Sequence, residues 1–405
     1  MSPASLPLSG IKVLDLSKIL AGPICAQHLG ELGAEVIKVE PVGSGDDTRN
    51  WLPKQQGESA MFMAVNHNKR SLALDLKHPD GQAIVHQLAQ QSDVVLQGFG
   101  GGAAQRLGVD YDTLAQRNER LIYCEISGYG RDGPMGDDPG YDVMLQAFSG
   151  MISSIGEPDG EVARVSFSPV DLGTGQNALS AILAALFQRH TTGKGQYVEV
   201  CLLDTAMSYM GYLAQTYWQS GQIPSPMGTG HPSMVPYQAF DASDGKLMIG
   251  AGNDAQWRRF CTLADLEAYV DHPDFKTSVD RVNNREQTVA LVQARIATHS
   301  VAHWLRLLRA AKIPCAPVQS LDRALAHPQV QARGLIATSQ HPLLGAMQQI
   351  GIPMKFNGQD RHASRPPPLL GEHSVQILRE LGHNDAQVAT LLNAGVVATT
   401  PSKEV

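Results

Sequence analysis

Short apolar runs alternate with amphipathic stretches along the first half of the chain. Ile11–Ser17 (IKVLDLS) is apolar and brief, the signature of a buried strand. GPICAQHLGELG follows with helical spacing, Pro23 suited to the first helical position and Gly33 to the stop. Ala34–Glu40 (AEVIKVE) is a second strand. The pattern recurs as SLALDL, the helical GQAIVHQLAQQ, and DVVLQGF (Asp93–Phe99), and a further strand, RLIYCEISGYG, starts at Arg120. Strands separated by helices predict β-α-β units, hence parallel pairing with helices covering the sheet.

The longest helical pattern lies in SFSPVDLGTGQNALSAILAALFQRHTTGKGQYVEV, Ser166 to Val200. Leu179, Ile182, Leu183 and Leu186 repeat at the spacing of one buried face, Gly193 and Gly195 end the helix, and QYVEVCLLD leaves as a strand. Asp171 falls where the helix should begin. Two readings stand side by side. As an N-cap, the aspartate would accept backbone N–H groups, and spacing alone favours this. As a nucleophile, it would sit at a helix N-terminus whose partial positive charge favours the ionised form, with the glycines of LGTG admitting a ligand.

Beyond about Ser220 the texture changes. SGQIPSPMGTGHPSMVPYQAF is rich in Gly and Pro, as a linker and loop are, and a smaller α+β section follows: KLMIGAGND, then the helical VALVQARIATHSVAHWLRLLRAA. ASRPPPLLGEHS (Ala363–Ser374) forces an extended segment before a last helix, SVQILREL. The expected fold is α/β. A Rossmann-like large domain begins with residues 1–218, a linker and small α+β domain occupy 219–332, and 333–405 returns to the large domain. At 405 residues the chain is long enough for two such cores.

Composition narrows the partners. The net charge of -7 comes with no basic block, so nucleic acid is not an expected partner. The apolar stretch around Leu179–Phe187 is too short to span a membrane, and MSPASLPLSG has no basic segment before an apolar core, so neither a membrane anchor nor a signal peptide is expected and the cytoplasm is the default compartment. Cys25, Cys124, Cys201, Cys261 and Cys315 are scattered without a CxxC pair, which argues against disulfides and metal, and core packing is the expected role of Cys25 and Cys124.

Weaker motifs surround these elements. GFGGGAAQR (Gly98–Arg106) mimics a dinucleotide loop, but its glycines fall at 98, 100, 101 and 102, with Ala103 in the last glycine's place. Arg106 beside it suits either phosphate or solvent. GTGHPS (Gly228–Ser233) suits a closing loop or a plain linker, and His231 has no hydrolase pattern around it. Asp46 and Asp47 in GSGDDTRNW either pair with Arg49 or cap a turn.

Taken together, LDLSKILAGP, GAEVIKVEPVGSGDDTRNW, NHNKRSLALDL, RLGVDY, LIYCEISGYGRDGP, GYDVMLQAFSG, VDLGTGQNALSAILAAL, TGKGQYVEVCLLD and RPPPLLGEHS resemble the family III CoA-transferases, of the carnitine/bile-acid-inducible type, in the family's order over almost the whole chain. The resemblance implies that Asp171 is the catalytic nucleophile, attacking an acyl-CoA to form an aspartyl anhydride and then an aspartyl-CoA thioester. At a carboxylate's ordinary pKa of about 3.9 it would need no general base. Coenzyme A, a substrate rather than a bound cofactor, would lie against Lys18, Ile19, Ala21, Leu74, Asp75, Leu76, Lys77, Phe99 and Arg106, with Tyr141 beside the thioester. Pro41 and Pro139 stand where some relatives carry basic residues. Oxyanion stabilisation is expected from backbone N–H groups around Gly228 and Gly230, with His231 in the same lid loop.

The resemblance extends to α-methylacyl-CoA racemases, which share the fold and the aspartate. Their second base is a histidine where Tyr141 stands here, and its glutamate partner is replaced by Asn253, which favours transfer. A non-catalytic CoA or nucleotide binder remains a third reading. Within the transferases, GDDTRNW, HPSMVPYQAF and RPPPLLGEHS look closest to the branch that moves CoA between dicarboxylic acids, with succinyl-CoA as the implied donor. An interlocked homodimer is implied too, with the long extended linkers near 219–232 and 333–368 compatible with it, and the site lying between the large domain of one chain and the small domain of the other.

Overall fold

In the computed structural model the described residues are 6–356 and 365–400. The first five residues, read above for a leader, and 357–364 of the proline-rich extended segment lie outside them. Two compact units result. One comprises residues 1–149, 165–215 and 329–405; the other comprises 150–164 and 216–328. The sequence reading has no boundary around 150–164.

The predicted strands form the first unit's sheet: β1 (Lys12–Asp15), β2 (Glu35–Glu40), β3 (Lys69–Leu74), β4 (Val94–Gln97), β5 (Ile122–Ser127) and β6 (Gln196–Cys201). A short β7 (Val397–Ala398), not anticipated, adds an edge. The order is β7-β3-β2-β1-β4-β5-β6, and every pair is parallel except β7 with β3. Leu14, Leu72, Val95 and Tyr123 from the strands share a core with Ile84, Leu88 and Leu378 from the covering helices. Cys25 and Cys124 are fully buried. Strand order reverses between β1 and β4: from β1 the chain builds outward through β2 and β3, then returns to place β4 on β1's other side. Such a switch opens a crevice beyond the carboxyl ends of the strands.

Three helices bear on that crevice. α1 (Ala21–Glu31) leaves the end of β1 and starts two residues before Pro23, which therefore occupies the third position. α2 is Asp142–Phe148, and α3 is the 24-residue helix Pro169–Thr192. α1 packs on α3 at a glycine: a Cβ on Gly175 would lie 2.3 Å from Ile24 Cγ2 and 2.6 Å from the carbonyl oxygen of Ala21. One on Gly173 would lie 1.6 Å from the Tyr209 hydroxyl. Both glycines are helical, without positive φ. The glycines of LGTG, expected to admit a ligand, here admit neighbouring protein and need no unusual backbone angles.

The second unit has its own three-stranded antiparallel sheet, with Gly245–Gly250 between Tyr237–Ala242 and Cys315–Pro317. Trp257, Phe260 and Trp304 fill its core. Between 333 and 356, read as extended linker, the chain instead pairs Ile336–His341 with Gly345–Ile350 as an antiparallel hairpin of the first unit.

Candidate functional site

The strand ends decide which side chains meet. After β1 come Ser17–Leu20; after β4, Gly98–Gly100; β5 ends on Ser127 and Gly128 follows. These segments, with Ala21, Tyr141 and Asp171, line one cleft of about 250 Å³ at the topological switch. Of the residues singled out in the sequence, Lys18, Ile19, Ala21, Phe99, Tyr141 and Asp171 are thus brought together. Leu74 ends β3 and Asp75, Leu76 and Lys77 follow it on the same carboxyl edge, but none of them lines this cleft, and neither does Arg106. Arg106 ends a short helix, Ala103–Arg106, behind Gly102, whose φ of 66° requires glycine's freedom.

Asp171 is not the cap of α3. That position is Ser168, held in the left-handed region at φ 49° and ψ 58°. A residue preceding proline ordinarily avoids helical angles, so this entry is strained. The capping acceptor comes instead from α2. Asp142 Oδ1 accepts the N–H of Val170 at 2.7 Å and of Asp171 at 3.1 Å. Gln146 donates to Asp142 Oδ2 and, through its own Oε1, accepts the N–H of Val165 at 2.9 Å. The cap is therefore supplied from 29 residues away, which leaves the Asp171 carboxylate available to the cleft it lines.

Its ionisation departs from the sequence expectation. Burial, and then the negative charge of Asp142, push the Asp171 pKa up to about 7. The helix N-terminus favours the charged form by about 0.3–1 kcal/mol, less than these two effects together. The ordinary carboxylate value of about 3.9, taken above for Asp171, is corrected accordingly.

The glycine-rich segment is fixed at Phe99. The Phe99 N–H donates to Gln97 Oε1 at 2.6 Å, and the Phe99 carbonyl accepts from Arg131 Nη2 at 2.6 Å, while Arg131 Nε donates to Glu125. A Cβ on Gly101 would lie 2.1 Å from Asp137 Oδ1. Arg131, Asp137 and Asp142 were not singled out by sequence reasoning. Only Asp142 carried a signal, as the residue after Tyr141 at a helix start. Tyr141 itself leaves 54% of its surface exposed.

The Gly228–His231 loop belongs to the second unit. The Gly228 N–H donates to the Gly156 carbonyl at 2.7 Å and the Gly230 N–H to that of Met227 at 2.9 Å, so both amides expected to meet an oxyanion are engaged within the unit. His231 Nδ1 accepts the N–H of Ser233 at 3.1 Å. Asn253 closes a capping box on Asp254–Leu263, a structural commitment. Neither Asp46 nor Asp47 pairs with Arg49. Arg49 bonds Glu40 at 2.7 Å, Asp47 pairs with Lys18 at 2.7 Å, and Asp46 pairs with Lys38 at 2.9 Å while capping Asp47–Asn50. Among the described residues no cluster of His, Cys, Asp and Glu suits a metal ion, and no helix is long and apolar enough to cross a membrane.

A sequence model described as CoA-transferase family III matches residues 8–374. Succinyl-CoA:glutarate CoA-transferase of Homo sapiens is 38% identical over 393 residues, 96% of this chain and 90% of that protein. Succinate--glutarate CoA-transferase of Agrobacterium fabrum is 36% identical over 382 residues, 93% of this chain and 96% of that one. Among solved structures, a CAIB/BAIF family protein from Brucella suis superposes with a TM-score of 0.83 at 36% identity, covering 93% of this chain and 100% of that one.

Proposed function

Because the chain belongs to CoA-transferase family III and is an enzyme that transfers coenzyme A, we propose that it moves CoA from succinyl-CoA to a small dicarboxylic acid, with Asp171 as the nucleophile. The observation that carries this reading is the Asp171 carboxylate lining a cleft at the strand switch, its helix capped by another acid. The relatives' names, succinyl-CoA:glutarate and acetyl-CoA:oxalate CoA-transferase, support a dicarboxylic acceptor.

The ionised carboxylate attacks the thioester carbonyl. The carbon–sulfur bond breaks, CoA leaves as thiolate, and an aspartyl-succinyl anhydride forms. The thiolate then attacks the Asp171 carbonyl, releasing succinate and leaving an aspartyl-CoA thioester. The acceptor carboxylate displaces CoA through a second anhydride, and CoA attacks the acceptor's acyl carbon, restoring free Asp171. An elevated pKa is compatible with this role, since a more basic carboxylate is the stronger nucleophile once ionised. Lys18, Ile19, Ala21, Phe99 and Tyr141 hold the thioester end, and Leu74–Lys77 with Arg106 take the rest of CoA. The working enzyme is a homodimer, in which the Gly228–His231 loop would exchange its internal hydrogen bonds to serve as a lid.

Incubation with succinyl-CoA followed by hydroxylamine tests the covalent route. Mass spectrometry is expected to find hydroxamate on Asp171. An unmodified Asp171 across several acyl-CoA donors that still turn over would refute it.

A further inference from the structure

The GSGDDTRNW motif is absorbed neither by the fold's core nor by the nucleophile, and one of its acids reaches the cleft wall. The wall segment Ser17–Leu20 contains Ile19 at φ 73°. A β-branched residue in the left-handed region is a conformational outlier that persists only where its surroundings over-determine it. Those surroundings are two buried charges. Lys38, fully buried on β2, donates from Nζ to the Ser17 carbonyl at 2.8 Å. Asp46, 2% exposed, accepts the Ile19 N–H on both oxygens at 3.3 Å. The two charges are joined at 2.9 Å, so they grip the turn on either side of Lys18. Asp46 is itself held by the N–H and hydroxyl of Thr48 at 3.0 and 2.8 Å. Asp15 bonds the Ser17 hydroxyl and N–H from below.

Burial opposes the charge on both members. Lys38 and the Thr48 hydrogen bonds nevertheless hold the Asp46 carboxyl far below the usual range, and Asp15 and Asp46 hold the Lys38 ammonium above its own. The pair is therefore ionised wherever the protein is folded near neutral pH. A buried ion pair is a poor source of net stability compared with apolar side chains of equal volume, but it fixes geometry well. Here what it fixes is a strained turn on the wall facing Asp171.

We propose that Asp46 is a positioning residue, which through Lys38 and the Ile19 amide locks the Ser17–Ile19 turn in the shape that receives the CoA thioester. This rests on the reading of the cleft as the CoA site. Glycine adopts the left-handed region at no cost, so a glycine at position 19 should make the clamp dispensable.

The test uses Asp46→Asn, Ile19→Gly and the double variant in the full chain. Calorimetry measures coenzyme A affinity, and hydrogen exchange follows the fragment spanning Ile19. Asp46→Asn is expected to bind CoA about tenfold more weakly, raise KM for succinyl-CoA by about the same factor with kcat within about twofold, and speed exchange at the Ile19 amide. Ile19→Gly removes a side chain that lines the cleft and is expected to weaken CoA binding by itself, but in that background adding Asp46→Asn is expected to lower affinity by no more than about a further twofold, because a glycine turn no longer needs the clamp. Unchanged affinity in Asp46→Asn, or a full further loss of about tenfold when Asp46→Asn is added to Ile19→Gly, would overturn the proposal. So would failure of both Asp46 variants to fold, since Asp46 would then serve the fold rather than the turn. If the wild-type chain binds no CoA, the functional reading is what fails, and exchange at Ile19 still decides whether Asp46 holds the turn.

Discussion

At the scale of single residues, the two acids at the head of α3 divide their labour. Asp142 accepts the first N–H groups of the helix, and Asp171, relieved of that task, faces the cleft with a pKa pushed up to about 7 by burial and by Asp142's charge. Two consequences can be measured. In the proposed mechanism acyl transfer to Asp171 requires the ionised form, so its single-turnover rate should fall about tenfold per pH unit well below pH 7. Replacing Asp142 by Asn removes the second cause but leaves burial, so the profile should move towards lower pH without reaching an ordinary carboxylate's. A profile that stays put would show that Asp142 does not tune the nucleophile. The second consequence concerns stability. A carboxyl whose folded pKa is raised keeps a proton that the unfolded chain has released, so its ionisation costs stability as pH rises from about 4 through about 7. Asp171→Asn should therefore unfold at the same temperature as wild type near pH 4 and at a higher one near pH 8, where the relieved cost is about 2–4 kcal/mol. A gap that is largest at acid pH would contradict the assignment.

At the scale of elements, much was legible because each parallel strand is a short apolar run and each helix has its own period. β1 through β6 and α3 fall where the pattern puts them, within a few residues. What escaped was set by contacts between distant segments. No local signal says that the acceptor capping α3 lies on α2, so Asp171 looked like the cap. LGTG carries two glycines whatever approaches them, and only the packing shows that Tyr209 and α1 do. The 150–164 segment was invisible as part of the second unit because its membership is a matter of tertiary contacts. The α1–α3 contact yields a further prediction. At Gly175 an added methyl would meet the backbone of Ala21, which cannot swing aside as a flexible side chain would. Gly175→Ala should destabilise the protein by about 1–3 kcal/mol. Because Ala21 also lines the cleft, CoA affinity should fall with it. The same change at Gly193, where φ is 73° and nothing lies within 4 Å of an added Cβ, is a control that should cost stability through backbone strain alone and leave CoA affinity intact.

At the scale of the whole molecule, a single chain leaves apolar surface uncovered. The helix Gly211–Ser220 has no buried residue, yet it carries Tyr212 at 65% and Trp218 at 71% exposure, and Ile223 just beyond it is 80% exposed. Phe167, next to the strained Ser168 at the head of α3, and Phe187 on α3 are 64% and 78% exposed. Isolated exposed apolar residues are ordinary, but Tyr212 and Trp218 on one helix with no buried residue mark an interaction surface. A second copy of the chain is the occupant that the homodimer reading supplies. Light scattering should give twice the mass of the 405-residue chain, independent of concentration across the micromolar range. Acrylamide quenching, compared between the wild type and Trp218→Phe, should show Trp218 shielded despite its exposure in the single chain. A monomer with a freely quenched Trp218 would refute the dimer. It would also require that the cleft around Asp171 do its chemistry with residues of one chain alone, a requirement that activity at high dilution would test directly.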